Sequence, residues 1–440
     1  MEGTFALAAG VGAVITAKGL RPSAVNIPVL GSFPIAVIAT ELAPWLLSLE
    51  AVATSAAIRG GAVDGILGKV ALGVNVASWS GLAFLTKVGV DARKIFAESL
   101  EHVGIGGTDN SAKPADSADS ADSADSTVSA VSGRYGRRQA GTGTTNAGAR
   151  VAPFPIRREP ALRITRDVEF AVMEGVNLLL DVFEPAGDAT QVDPAVLRPA
   201  ILQIHGGSWT SGDKRQQGRP LLNHLANNGW VGFNADYRLS PEADAETQLT
   251  DVKRALAFIR SNAERYGIDA ERIAITGGSA GGHLASLAAL TANDPRYQPG
   301  FESADTAVAA AVAFYGVYDL TNEVGAFGPT FVRFMENRVV QRSLADEPEQ
   351  YRAMSPLHVL QELGQRGADV PSFFVIHGQV DTVVSVTEAQ RFVEALRTFS
   401  DAEVVYAELP YAHHAFDVIR SARTNATVEA VAAFLHHAMG

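Results

Sequence analysis

Ser279 stands in the run Gly277-Gly278-Ser279-Ala280-Gly281, between a short apolar stretch (Ile273, Ala274, Ile275) and an Ala/Leu-rich helical pattern. A serine hydroxyl is a poor nucleophile until it is lifted out of a sheet, pointed at a base and set on a helix N-terminus. A G-x-S-x-G run between strand and helix supplies that sharp turn. Glycines are expected at 277 and 281 because side chains there would strike the neighbouring strand and helix. The competing account is a Gly/Ser turn that caps a helix, since serine is a good N-cap. The rest of the chain bears on which account holds.

Acyl transfer also needs a base, a group that orients the base and donors for a developing oxyanion. His205-Gly206-Gly207-Ser208-Trp209 follows the apolar strand pattern at 201–204. Small residues there let backbone N–H groups approach a substrate oxygen. The expected donors are Gly206, Gly207 and Ser208, the last two foremost, joined by Ala280. Asp381 ends a turn after the strand pattern at 373–376, where it can hold an imidazole in one tautomer; an Asx-turn or helix cap would also explain it. His413 and His414 follow the last strand pattern, and adjacent side chains diverge, so only one can reach the site. The residues themselves leave that choice open. His205 is expected to brace its turn, while His224, His283, His377 and His436-His437 have structural explanations. No His/Asp/Glu spacing points to a metal, and no cofactor is expected.

Strands alternating with helices over 156–440 position these groups. An antiparallel opening pair is expected at 162–171 and 176–183. Further strands follow at 200–204, 231–235, 272–276, 309–314, 373–376 and 404–408, with helices near 215–228, 248–266, 282–290, 386–399 and 424–438. Such alternation implies a mainly parallel eight-stranded sheet covered on both faces, with ligands at the carboxyl ends of its strands.

The other 155 or so residues differ sharply in composition. Residues 4–17, 22–40 and 70–86 carry no charge, and 42–58 is broken only by Glu50. The second and third runs are about nineteen and seventeen residues long, close to the roughly twenty of a membrane helix. Residues 1–104 are therefore expected to be helical and membrane-embedded, with two to four spans; Pro28 and Pro34 allow a kinked or re-entrant segment. Buried helices of a soluble domain are the competing account, while a signal peptide fits poorly because Glu2 replaces the basic start and apolar residues continue far past any cleavage site. Arg93, Lys94, Arg134, Arg137 and Arg138 favour a cytoplasmic catalytic region, while Lys18 and Arg21 leave orientation open. Residues 105–155 hold four Ala-Asp-Ser repeats and a Gly/Thr/Asn/Arg tract, the composition of a solvated tether. The net charge of −12 argues against nucleic acid. The absence of cysteine excludes disulfides and a thiolate nucleophile.

Residues from about 160 to 440 resemble an α/β-hydrolase of the carboxylesterase/lipase kind, near the hormone-sensitive-lipase and feruloyl-esterase-like branches. The resemblance lies in His205 to Trp209, Asp236-Tyr237-Arg238-Leu239-Ser240-Pro241-Glu242, Gly277 to Gly282, His377-Gly378 through Asp381, and His414-Ala415-Phe416. It implies an α/β-hydrolase fold and the chain order Ser279, Asp381, His414 for the triad. It selects His414 because the family's catalytic histidine stands two residues before a phenylalanine. Asp236 and Arg238 are then structural. Ser208 in place of a third glycine tilts the match toward the feruloyl-esterase-like branch. The apolar N-terminal region resembles that of membrane-associated actinobacterial esterases, which implies a bacterial plasma membrane. The activity implied is hydrolysis of a small-molecule or lipid ester through an acyl-enzyme. An arylformamidase or other amidase, or a short-peptide hydrolase, would use the same machinery. A non-catalytic membrane-tethered protein is the reading from another class. The segment 320–342, with Phe327, Phe331, Phe334 and Met335, is expected either to cap the pocket or simply to pack.

Overall fold

A computed structural model describes residues 1–21, 33–105, 162–186 and 196–440. Much of the 22–40 run, including Pro28, and nearly all of the expected tether lie outside the described residues. Contacts group Met1–Gly106 and Arg158–Gly440 into one compact unit.

Eight strands form one sheet: β1 (Leu162–Met173), β2 (Val176–Pro185), β3 (Arg198–Ile204), β4 (Val231–Ala235), β5 (Ile268–Gly278), β6 (Ala310–Phe314), β7 (Ser372–Gly378) and β8 (Val404–Leu409). Their order is β1-β2-β4-β3-β5-β6-β7-β8. β1 and β2 are antiparallel to each other, and β2 is antiparallel to β4; all the other pairs are parallel. The crossovers that parallel strands require are helices, so both faces are buried and β3 to β7 read as nearly continuous apolar runs.

Among the described residues four helices precede the sheet: α1 (Glu2–Leu20), α2 (Phe33–Glu41), α3 (Ala43–Arg59) and α4 (Ile66–Glu101). Among the described residues nine more lie between or after the strands: α5 (Arg219–Asn227), α6 (Ala245–Ser261), α7 (Ala263–Tyr266), α8 (Ala280–Leu290), α9 (Pro329–Phe334), α10 (Pro348–Ala353), α11 (Pro356–Arg366), α12 (Val386–Phe399) and α13 (Ala422–Met439). α6, α8, α11 and α12 pack on one face through alternate strand residues such as Leu202, Ile275 and Val375. α5 and α13 cover the other face over Ile201, Ala274 and Phe374.

The second half of α4 joins α5 and α13 on that face. Ala92, Phe96 and Leu100 recur every fourth residue, one stripe of a helix, and all three are buried in the same cluster. Phe96 meets Phe374 of β7 edge-to-face at 6.2 Å. The end of the region set apart by composition is thus part of the domain's own core. Sequence places that boundary at 104, but the helix crosses from one role to the other without a break.

The helices depart from expectation in two places. α5 starts at Arg219 instead of 215 because Gly218 turns left-handed (φ 75°) and Pro220 fits only a first turn. α10 and α11, which begin at Pro348 and Pro356, were not anticipated from the sequence, although Leu357, Leu360 and Leu363 recur on one face of α11. In the 320–342 segment, Phe327 stacks on Phe331 at 4.0 Å, and Met335 and Val339 are buried in the main core.

Truncating a buried phenylalanine costs about 3–5 kcal/mol. Phe96→Ala should therefore lower the unfolding free energy of the sheet domain by an amount in that range, read as a lower midpoint of chemical unfolding, although residue 96 belongs to the N-terminal helices. An unchanged midpoint, read by tryptophan fluorescence of the full chain, would show that α4 is not part of the core.

Candidate active site

The turn after β5 is shaped by sterics. Ser279 has φ 60° and ψ −123°, a strained conformation for a residue with a side chain. It holds because the backbone is fixed on both sides. Ser279 N–H donates to Phe314 O of β6 at 3.0 Å, and α8 starts at once with Ala280. A Cβ on Gly277 would lie 2.4 Å from Gly281 O, and one on Gly281 would lie 2.2 Å from Ile204 O. Both glycines are thus required by close backbone approach.

The groups expected to act with Ser279 meet it at the carboxyl ends of the strands. Ser279 Oγ lies 2.8 Å from His414 Nε2, and His414 Nδ1 lies 2.7 Å from Asp381 Oδ2. Asp381 Oδ1 accepts from the N–H groups of Val383 and Val384 at 2.8 and 2.9 Å, which fixes the carboxylate's plane. Burial alone would raise the Asp381 carboxyl; the charges and hydrogen bonds of His414 and His377 outweigh it and hold the group well below the usual carboxylate range. An ionised carboxylate can only accept, so Nδ1 is the protonated nitrogen and Nε2 can accept from the serine. His413 is turned the other way: its Nε2 lies 3.4 Å from Gly19 O of α1.

The turn at 205–209 packs against this pair, and a Cβ built on Gly206 would fall 3.1 Å from Ser279 Cβ. Gly207, Ser208 and Trp209 take successive left-handed conformations (φ 127°, 53° and 61°). Gly206 N–H donates to Gln217 Oε1 at 2.8 Å, so that expected donor is committed within the turn. Among the described residues, the N–H groups of Gly207, Ser208 and Ala280 have no intramolecular acceptor. His205 braces the turn as expected of it, stacked on Tyr237 at 4.4 Å. Tyr237 Oη donates to His205 O at 3.1 Å. Trp209 Nε1 donates to His283 Nδ1 at 3.1 Å, and the other nitrogen of His283 lies 2.8 Å from Met354 O. Burial pushes His283 down to about 4, which keeps it neutral and able to accept from Trp209. Asp236 and Arg238 lie outside the triad: Asp236 binds Lys214 Nζ at 2.6 Å, and Arg238 binds Asp251 at 2.8 Å.

Sequence reading missed three supporting residues. His377 Nε2 lies 3.4 Å from Asp381 Oδ2, a second imidazole on the same carboxylate. Tyr315 packs its ring 4.6 Å from that of His414, and its hydroxyl donates to the half-buried Asp417. A tyrosine just past a strand end and an acid three residues after the histidine were the available signals.

The protein-family model BD-FAE matches residues 180–396. The probable carboxylic ester hydrolase LipM of Mycobacterium tuberculosis is 44% identical over 68% of this chain and 66% of its own length. Esterase LipQ of the same organism is 42% identical over 64% of each. The matched part spans just under two thirds of either relative. The propionate-bound esterase 2 of Thermogutta terrifontis is 26% identical, with a TM-score of 0.52 over 64% of this chain and 95% of its own. The chain belongs to the α/β-hydrolase superfamily. For an α/β-hydrolase the strand-end position of Ser279, Asp381 and His414 is the expected one.

Asn at 381 would keep the two backbone N–H bonds but can present an NH₂ to Nδ1, which turns the Nε2–H toward the serine. Loss of turnover on the order of 10⁴ is expected, as for such a change in a serine-protease triad. Asp381→Asn should show this drop in kcat on a short acyl ester with little change in melting temperature; full activity would remove Asp381 from the site.

Proposed function

We propose that this protein is a membrane-associated serine carboxylesterase. The observation that carries the reading is the continuous hydrogen-bonded chain from Asp381 through His414 to Ser279, beside a turn with unengaged N–H groups. In this reading His414 takes the serine proton as Oγ attacks an ester carbonyl. The N–H groups of Gly207, Ser208 and Ala280 receive the negative charge on the carbonyl oxygen. His414 then protonates the leaving alcohol, and water activated by the same imidazole releases the acid and restores Ser279. Gly206 supports the turn as an acceptor-bound strut. The relatives named as esterases support ester hydrolysis over amide hydrolysis.

Membrane association of residues 1–104 is supported by an inverted distribution of side chains. α1 and α4 are long and apolar enough to cross a bilayer, and α2 with α3 forms a bent pair that passes the same test. Leu7, Leu49, Val52 and Ile66 are 66–83% exposed. The interior between the helices holds Thr16, Thr54, Asn75 and Ser78, with Thr16 on Ser78 and Asn75 on Thr54, each at 2.8 Å. Small and polar residues inside with large apolar ones outside is the arrangement of helices in lipid. Residues 105–155 serve as tether and 156–440 as catalytic domain. Lys18, Arg21, Lys87, Arg93 and Lys94 collect toward the catalytic domain, against Arg59 and Lys69 at the opposite end, which favours its placement in the bacterial cytoplasm.

Ser279→Ala is expected to abolish hydrolysis of acyl esters and labelling by a fluorophosphonate while leaving the melting temperature unchanged. On matched ester, arylamide and peptide substrates the wild-type protein should turn over the ester fastest. Undiminished hydrolysis by the variant, or a preference for the amide, would overturn this function.

A further inference from the structure

α1, α3 and the first part of α4 form a bundle of matched length. At one end Gly65 N–H donates to Glu2 Oε1 at 2.8 Å, and Gly60 lies against Met1. At the other end Gly19, Ala43, Leu82 and Leu85 come together. Between these ends α1 has 19 residues and α3 has 17. Residues 66–85 of α4 make a third segment of about 20. At 1.5 Å per residue each is about 26–30 Å long, the thickness of a bilayer's hydrocarbon core.

The second end rests on the loop that carries the catalytic base. Phe84 meets Tyr411 edge-to-face at 5.1 Å, and Tyr411 lies two residues past the last residue of β8. Glu41, at the end of α2, forms a fully buried ion pair with Arg423 and accepts from Ser421 Oγ at 2.7 Å. His413 faces Gly19 O. Beyond this seam α4 continues down the sheet, with Arg93 on Glu429 at 3.0 Å and Phe96 on Phe374. Helix α4 therefore runs antiparallel to β7 and β8, and its residues 66–85 project past the carboxyl ends of the strands. Ser279, Asp381 and His414 open at those same ends. α2 is bent 82° from α3 and presents Ile35 and Ile38 outward, so it lies across the bundle axis at the level of the seam. A helix in that pose lies in the plane of a membrane surface.

We propose that the active-site rim faces the bilayer surface and that the substrate is a long-chain carboxylic ester drawn from the membrane rather than from water. The proposal rests on the ester-hydrolase and membrane readings above. It adds the direction in which the site faces. Were the bundle attached at the amino ends of the strands, the same anchor would hold the site away from lipid. Fifteen of the twenty-one large apolar side chains exposed among the described residues lie in residues 1–90, so the lipid-facing surface is concentrated on the rim side.

The absence of cysteine allows single-site labelling of the full chain. Val418 lies on the rim loop and is 40% exposed, while Asp401 is exposed at the amino end of β8. Val418→Cys and Asp401→Cys, each carrying a fluorophore, would be reconstituted in phosphatidylcholine–phosphatidylglycerol vesicles containing a nitroxide-headgroup lipid. The label at 418 should lose most of its emission and that at 401 little. Equal quenching, quenching only at 401, or failure to associate with vesicles would overturn the orientation. In the same vesicles, hydrolysis of a bilayer-dissolved fluorogenic long-chain ester should follow its mole fraction in the lipid and stay constant when vesicles are diluted at constant enzyme-to-lipid ratio, per enzyme. A rate that falls with bulk ester concentration would overturn delivery from the membrane. A soluble short-chain ester separates the two claims: failure to hydrolyse it would refute the esterase reading, while the quenching pattern reports orientation without any turnover.

Discussion

One imidazole bridges a buried carboxylate and a hydroxyl on a strained turn, and much of the fold can be understood as holding those three groups together. Ser279 cannot relax from its left-handed conformation because β6 holds its N–H and α8 starts immediately after it. Asp381 stays ionised in a buried place because two backbone N–H groups and two imidazoles face it. His414 is fixed by both, and Tyr315 with Asp417 limits how its ring can tilt. A parallel sheet suits this purpose because it brings the carboxyl ends of β5, β7 and β8 to one edge, with only β6 between β5 and β7, although their residues are far apart in the chain.

Helix α4 has two different surroundings along its length. Its first part shows large apolar residues outward and encloses Asn75 and Ser78; its second part does the reverse, burying Ala92, Phe96 and Leu100 against the sheet. One rigid helix therefore fixes the catalytic domain relative to the apolar bundle. Glu41 and Arg423 add a second tie at the base of the histidine loop. Removing one member of such a buried pair strands the other charge, so this contact defines one geometry for the seam more than it adds stability.

Much of the site was legible in the sequence because the chemistry restricts residue types at strand ends. The elbow glycines, the small residues after β3 and Asp381 each carry a local signal, whereas the choice of His414 over His413 came from the family resemblance alone. The strands were legible for a related reason, since buried parallel strands are short apolar runs bounded by turn residues. What was not legible depends on distant partners. The Glu41–Arg423 pair joins residues 382 apart, and neither has a periodic neighbour that announces it. His377 looked like an ordinary strand-end residue until Asp381 was seen to turn back on it. Gly206 looked like a donor until Gln217, in a loop without secondary structure, was found to occupy it. Composition changes near residue 86 while the helix continues to Glu101, so the packing of Ala92, Phe96 and Leu100 on the sheet could not be read from composition.

The central claim is that Ser279, activated by His414 and Asp381, attacks an ester and becomes acylated. Rapid mixing of the full-length protein with a chromogenic short-chain ester tests it most directly, followed by acid quench and peptide mass analysis. The account predicts a burst of alcohol equal to the enzyme present and an acyl group on the peptide containing Ser279, both lost in His414→Ala. Alcohol release without a burst, together with no acyl adduct at Ser279 under conditions that trap the intermediate, would contradict it.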